Sequence, residues 1–314
     1  VIDTNKKGLL AMTVVAVLVV ASLAAAMVLL QGTGTDTDDE GTISVVDDRG
    51  KTVNFTAAPQ RIVSLGSSFT EIIIALDESD RLVGVDYSGA ALSGLPEGVV
   101  DLGKTSSLSM EALIGLEPDC VIIWNFAMYE SLIESMEGLG LKVVAFYPKN
   151  VDSTLSTMER MGDLLGSDAT ELVDGMLARV NAVVAKTANL TDAQRTSVYL
   201  ELASKGGQTT GNGTLSNELI YLAGGKNIFA NGTGYWLANT EEVIMRNPSV
   251  IVVENSSARD LQYFKDTYGE VDAVVDDRVY RIDAGTLTTS PRLVDALEDL
   301  AYWLQPELFP ELAP

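Results

Sequence analysis

No histidine occurs among the 314 residues, and there is one cysteine. Without imidazole, Ser-His-Asp and Cys-His nucleophile systems are excluded, as are His-ligated zinc or iron sites and imidazole proton transfer. Cys120 alone makes neither an internal disulfide nor a thiolate cluster; inside Cys120-Val-Ile-Ile-Trp124 it reads as a small buried hydrophobe. Positive charge is also scarce: 21 Lys and Arg face 44 Asp and Glu, for a net charge of −23. A phosphate backbone or an anionic lipid surface needs a basic face, which argues strongly against nucleic acid as a partner and also against a polyanionic membrane patch. Gly-x-Gly-x-x-Gly and Walker spacings are missing too, so the glycines at 206, 207, 211 and 213 read as a cleft-edge loop rather than a phosphate cradle. Among 44 acids a carboxylate pair can always be nominated, and no motif supports one. The reading contains no catalytic residue, no metal ligand set and no intrinsic cofactor.

What is present begins with an apolar run. Residues 9–30 carry no charge, and a helix of that length spans about 33 Å, enough for a ~30 Å hydrocarbon core. It is longer than the ~7–15 apolar residues of a cleaved leader, so it reads as a single-pass anchor, with Ala24-Ala25-Ala26 as the alternative cleavage site. Lys6 and Lys7 precede it and Asp36, Asp38, Asp39 and Glu40 follow, which places the remainder outside the cytoplasm. No cysteine follows the run, so a lipidated Cys anchor is not available. The Gly/Thr/Asp stretch 32–41 is a tether; its loose likeness to a calcium loop lacks the two flanking helices. Asn-x-Ser/Thr sequons at Asn54, Asn189, Asn212, Asn231 and Asn255 make surface glycosylation an expectation. The missing lipid-attachment Cys, the anchor and the sequons together suggest an archaeal-type envelope, while the acidity reads equally as adaptation to salt or to an acidic envelope.

Beyond residue 42 the grammar is α/β. A hairpin signal, Asp48-Arg49-Gly50, separates two short strand patterns. Apolar strands are then predicted at Arg61–Leu65, Arg81–Val85, Cys120–Trp124 and Leu141–Phe146, alternating with helices around 70–76, 109–116 and 129–139. A helical region runs from 154 to 188, with capping-box spacing at Asp168-Ala-Thr-Glu171 and an apolar stripe of Leu172, Met176, Val180 and Val184. Strands at 198–202, 250–253 and 279–282 and helices at 215–223, 261–268 and 292–304 complete the chain. The expected architecture is two α/β lobes with mostly parallel sheets, joined by a single long helix, with the ligand cleft between the lobes. The boundaries are a tip at 1–8, an anchor at 9–30, a linker at 31–42, an N-lobe at 43–150, an interlobe helix at 151–190 and a C-lobe at 191–314.

The ordered runs Arg61-Ile-Val-Ser-Leu65, Thr70-Glu71-Ile72, Ala75-Leu76, Arg81-Leu-Val-Gly-Val85 and the segment from Ser109 to Trp124 resemble the N-lobe of helical-backbone substrate-binding proteins. These serve ABC importers of cobalamin, ferric siderophores and haem. Gly224-Gly-Lys-Asn-Ile-Phe229, the segment from Glu241 to Val253, and Ser290-Pro-Arg292 continue the likeness, which covers roughly residues 42–308. The resemblance implies limited hinge motion, a metal chelate in the cleft, and one glutamate on each lobe docking onto arginines of the permease's outer surface, with an ATPase behind it. By motif position these are Glu111 and Glu241, with Glu242 leaving the second ambiguous by one residue. Exposed carboxylates at two separated points give register against a basic partner, whereas a first-turn glutamate is also favoured by the helix dipole alone.

Ligands of α/β sheets sit beyond the carboxyl ends of the strands. Tyr87 and Trp124 occupy such positions, and Trp236 lies in a Gly-rich loop before a helix; flat amphipathic rings suit a planar chelate, though aromatics also serve cores. Arg292, Lys104 and Lys205 are the cations considered for the cleft, and Arg292 has an equal structural reading. Few cations and no axial histidine tilt the expected ligand toward a cobalt corrinoid or a near-neutral iron(III) chelate, with tyrosinate remaining for haem. Relatives that hold bare zinc or manganese need imidazoles this chain lacks. The alternative from another class is a membrane-anchored sensor or adhesion ectodomain using the same two-lobe fold.

Overall fold

A computed structural model of the protein describes residues 42–202 and 206–313. The anchor, the tether and Lys205 lie outside the described residues, among which no helix is long and apolar enough to cross a membrane. The described residues from 43 onward form one compact unit.

It opens with an antiparallel hairpin, β1 (Ile43–Val46) and β2 (Thr52–Phe55). Buried Asp47 organises its turn by accepting the amides of Arg49, Lys51 and Ala145 and pairing with the Arg49 guanidinium. Then follow β3 (Ile62–Leu65), α1 (Ser67–Ala75), β4 (Leu82–Val85), α2 (Tyr87–Ala90), β5 (Val100–Asp101), α3 (Met110–Gly115), β6 (Cys120–Trp124), α4 (Glu130–Gly138) and β7 (Val143–Phe146). These strands make a five-stranded sheet of order β5-β4-β3-β6-β7 in which every pairing is parallel.

Two helices come next, α5 (Val151–Leu165) and α6 (Thr170–Thr187). A single long helix was expected here, and the structure divides it. Gly166 takes a left-handed conformation (φ 67°), and the Ser167 amide turns back to the Gly162 carbonyl, closing α5 in the manner of a glycine C-cap. Asp168 does not begin a capping box; it binds the Thr170 amide, and Ala169 precedes α6.

The second half comprises β8 (Thr196–Glu201), β9 (Gln208–Thr210), α7 (Leu215–Leu222), β10 (Gly225–Asn227), β11 (Tyr235–Leu237), α8 (Thr240–Arg246), β12 (Val250–Glu254), α9 (Leu261–Tyr268), α10 (Asp272–Val275), β13 (Val279–Ile282) and α11 (Leu293–Leu304). Its parallel sheet has the order β10-β8-β12-β13, and β9 and β11 pair antiparallel beside it.

Alternation along the strands shows how the halves are tied. In β6, Cys120 and Ile122 face the central core while Val121 and Ile123 face a separate core under α3 and α4. In β12, Val250 and Val252 face the same central core, and Ile251 and Val253 face one under α9 and α10. One apolar mass thus runs from the first sheet through Met158 and Met161 of α5 and Val180 and Val183 of α6 to Leu297 and Leu300 of α11 and the second sheet. The central strands β3, β6, β7 and β12 are covered on both faces, which is why they read as nearly unbroken apolar runs. Cys120 lies inside this mass at 0% exposure, and burial pushes its thiol well above its ordinary range.

Candidate functional site

A cavity of about 300 Å³ opens between the halves, beyond the carboxyl ends of β3, β6 and β7. The first half supplies Ser67 and Ser68 from the start of α1, the aromatic rings of Trp124, Phe126 and Tyr147, and Lys149. The second half supplies Gly213 to Leu215 at the start of α7, Tyr235, and the segment Leu287 to Thr289.

The aromatic wall is held by its own packing. The Trp124 and Phe126 rings stack with centroids 5.0 Å apart and planes 4° from parallel, Phe69 backs Trp124 at 4.6 Å, and Tyr147 meets Phe126 edge-on at 5.3 Å. Gly66 makes room for the indole. Its φ is +152°, and a Cβ there would fall 2.4 Å from Trp124 Nε1 and 2.8 Å from Cδ1. The Lys149 ammonium sits 4.5 Å over the Tyr147 ring.

Of the aromatics singled out in the sequence, Trp124 lines the cavity and Tyr87 and Trp236 do not. Tyr87 begins α2 with 63% of its surface exposed, and its amide donates to the Gly103 carbonyl. Trp236 is a correction with a simple cause. It lies in β11, not in a loop, and pairing with β9 turns Tyr235 and Leu237 to one face and Trp236 to the other. Its indole packs edge-on against Phe229 at 5.9 Å and over Gly232, as part of the core under α9. Tyr235, one residue earlier, faces the cavity. Phe126, Tyr147 and Lys149 were missed although they directly follow β6 and β7, where the strand-end rule would have found them.

Arg292 does not line the cavity; it ties the two halves together beside it. Its Nη2 pairs with Oε1 of Glu71 on α1, its Nε donates to Oε2 at 3.2 Å, and its Nη1 reaches Asp283 at 3.2 Å. These partners, with the Glu71 hydrogen bonds foremost, raise the guanidinium further above its ordinary range. Lys104 is exposed and outside the cavity lining.

A second constellation is repeated. The run from Ser109 to Trp124 and the run from Asn239 to Glu254 correspond residue for residue at a spacing of 130: 109 to 239, 111 to 241, 114 to 244, 118 to 248. In each, a polar side chain (Ser109, Asn239) caps a short helix, and a residue with positive φ (Glu117 at 45°, Asn247 at 43°) ends it. A proline follows and leads into a buried strand. Leu113 and Val243 are both 0% exposed, while Ile114 and Ile244 are exposed at 43% and 40%. In this register the counterpart of Glu111 is Glu241, not Glu242. Glu242 is bound to Arg246, four residues on, whereas Glu111 and Glu241 are exposed with no charged partner among the described residues.

Residues 62–286 match the sequence profile of the family described as "Periplasmic binding protein". The chain is 28% identical over 311 residues to an ABC transporter substrate-binding lipoprotein, YvrC, of Bacillus subtilis, covering 93% of this chain and 98% of that one. It is 26% identical over 208 residues to a vitamin B12-binding protein of Yersinia pestis, covering 64% and 72% of the two chains. Among solved structures, the molybdate-bound periplasmic protein MolA of Haemophilus influenzae superposes with a TM-score of 0.76 at 19% identity, over 85% of this chain and 93% of that one.

Proposed function

Because this chain belongs to the periplasmic binding protein family, we propose that it is an extracytoplasmic receptor that captures a metal chelate and delivers it to an ABC importer. The observation that carries the reading is the cavity at the strand ends, walled by Trp124, Phe126 and Tyr147 on one side and Tyr235 on the other. Preorganised rings of this kind offer broad apolar contact at small cost in conformational entropy, which suits a corrinoid or an iron(III) chelate. At about 300 Å³ the cavity is at the lower end of the ~300–1,000 Å³ typical of small-molecule sites. It seats one face or arm of such a chelate while the remainder extends through the mouth. The Yersinia relative's name points to vitamin B12, and that of the Bacillus relative to ABC transport.

Delivery rests on the repeated constellation. Glu111 and Glu241 are proposed as the docking carboxylates for arginines on the permease, with Ile114 and Ile244 as apolar contacts beside them. Residues 9–30 are proposed as the tether to the membrane.

Calorimetry with cyanocobalamin, haem and ferric siderophores tests capture. Saturable binding of one of them, weakened at least tenfold by Trp124→Ala or Tyr235→Ala, is the expected result. A folded chain that binds none of these chelates would refute capture of a metal chelate, and one that binds no free oxyanion either would refute the receptor assignment. Docking is tested separately: the double variant Glu111→Ala, Glu241→Ala should bind ligand normally and lose uptake through its permease.

A further inference from the structure

The aromatic wall accounts for one side of the cavity, and the opposite chemistry gathers at its floor. Two helices that belong to different halves of the molecule both begin there. α1 runs over Ser67–Ala75, with Gly66 at its N-cap and no side chain capping it; α7 runs over Leu215–Leu222, with Thr214 capping only the Asn217 amide. A helix start carries roughly half a positive charge and unsatisfied amides, and two such starts facing one cavity add. The Ser67 and Ser68 hydroxyls have no hydrogen-bond partner among the described residues. Lys149 has no carboxylate partner among them either. Among the described residues no acidic side chain lines the cavity, in a chain with 44 acids; an acidic influence on its lining comes from Glu254, whose charge, after burial and Tyr147, helps to raise the Tyr235 phenol. The glutamates carried by the two helices are engaged elsewhere: Glu71 holds Arg292, and Glu218 accepts the Val151 amide at 2.8 Å.

Thr289 is the independent observation. It lines the cavity at 7% exposure, and its Oγ1 is buried with no hydrogen-bond partner among the described residues. A buried hydroxyl without a partner is uncommon, because its desolvation is then uncompensated. A ligand oxygen at the cavity floor would satisfy it.

We propose that the cavity holds an anionic oxygen group of its ligand, a carboxylate, phosphate or other oxyanion, between the starts of α1 and α7, with Lys149 supplying the counter-charge and Thr289 a hydroxyl. The inference rests on the receptor reading and narrows it: the ligand is anionic at the end that enters first, rather than near-neutral. The group is either part of a chelate or a free oxyanion, and the two sources call for different probes.

Calorimetry on the intact chain with molybdate, ferric citrate and ferrioxamine B distinguishes them, with cyanocobalamin as an additional ligand. These are a free oxyanion, a chelate bearing carboxylates and a cationic chelate. Binding of molybdate weakened about tenfold or more by Lys149→Gln, and restored by Lys149→Arg, identifies a free-oxyanion site. Binding of ferric citrate alone with the same dependence identifies a chelate-borne group. Thr289→Val, which keeps shape and removes the hydroxyl, should weaken either ligand several-fold. Ferrioxamine B or cyanocobalamin binding with no loss in Lys149→Gln, while neither anion binds, overturns the anionic inference and leaves the receptor reading standing. A folded chain that binds none of the four, nor haem, overturns both.

Discussion

Gly66→Ala tests how the binding wall is built. The residue joins β3 to α1, its φ of +152° is one that side-chain-bearing residues rarely adopt, and an added Cβ would lie 2.4 Å from Trp124 Nε1 and 3.1 Å from Phe69 Cδ2. Backbone strain of this kind costs roughly 1–3 kcal/mol, and an overpacked contact a further 1–3 kcal/mol. The variant should therefore lose about 2–6 kcal/mol of stability, measured by urea unfolding followed by far-UV circular dichroism. Gly175→Ala is the control. It lies within α6 with open space around its Cβ position and should gain about 1 kcal/mol from helix propensity. The decisive measurement is a double-mutant cycle. In a Trp124→Ala background the indole clash is gone, so Gly66→Ala should cost about 1–3 kcal/mol less than in the parent. A coupling below about 0.5 kcal/mol, or a Gly66→Ala protein as stable as the parent, would refute the claim that this glycine exists to admit the indole.

Arg292→Met should destabilise the fold by about 1–3 kcal/mol by leaving the Glu71 carboxylate, 11% exposed, without its cation; adding Glu71→Gln should recover part of the loss in the same unfolding assay. Glu218 is pushed up from 4.5 to about 6, chiefly by burial, with Asp152 adding to it and the Val151 amide opposing. A carboxyl raised in the folded state favours folding most when protonated, so its contribution is complete below about pH 4.5 and declines through pH 6, by about 2 kcal/mol in all. Glu218→Gln keeps the acceptor for Val151 and should narrow the difference in Tm between pH 4.5 and 7.5; an unchanged difference would exclude this carboxyl as its source. Tyr235→Ala should impair ligand binding with little loss of stability, while Trp236→Ala should cost about 3 kcal/mol or more through its contacts with Phe229 and Gly232, as urea unfolding will report.

The sequence carried the order of the central elements because strands such as β3, β6, β7 and β12 are short, largely β-branched and buried on both faces, a signal contained within their own four or five residues. Strands β5, β9, β10 and β11, of two or three residues each, gave no such signal. The predicted Cys120–Trp124 and Val279–Ile282 strands and the Leu261–Tyr268 helix coincide with β6, β13 and α9. The same local signal placed Trp124 at a strand end and therefore at the cleft. The repeat spaced by 130 residues was also present in the sequence, since caps, prolines and apolar positions recur in register.

Three things were decided only by tertiary structure, each by contacts distant in the chain. Whether Tyr235 or Trp236 faces the cavity depends on the pairing of β11 with β9, because a three-residue strand has no face of its own until a partner fixes its pleat. The role of Arg292 depends on Glu71, 221 residues away and in the other half, so no local pattern could separate a ligand contact from a tie between the halves. The anion-seeking floor of the cleft, too, is invisible in a sequence so acidic. It arises where two helix starts and one lysine converge, and backbone dipoles leave no mark in composition.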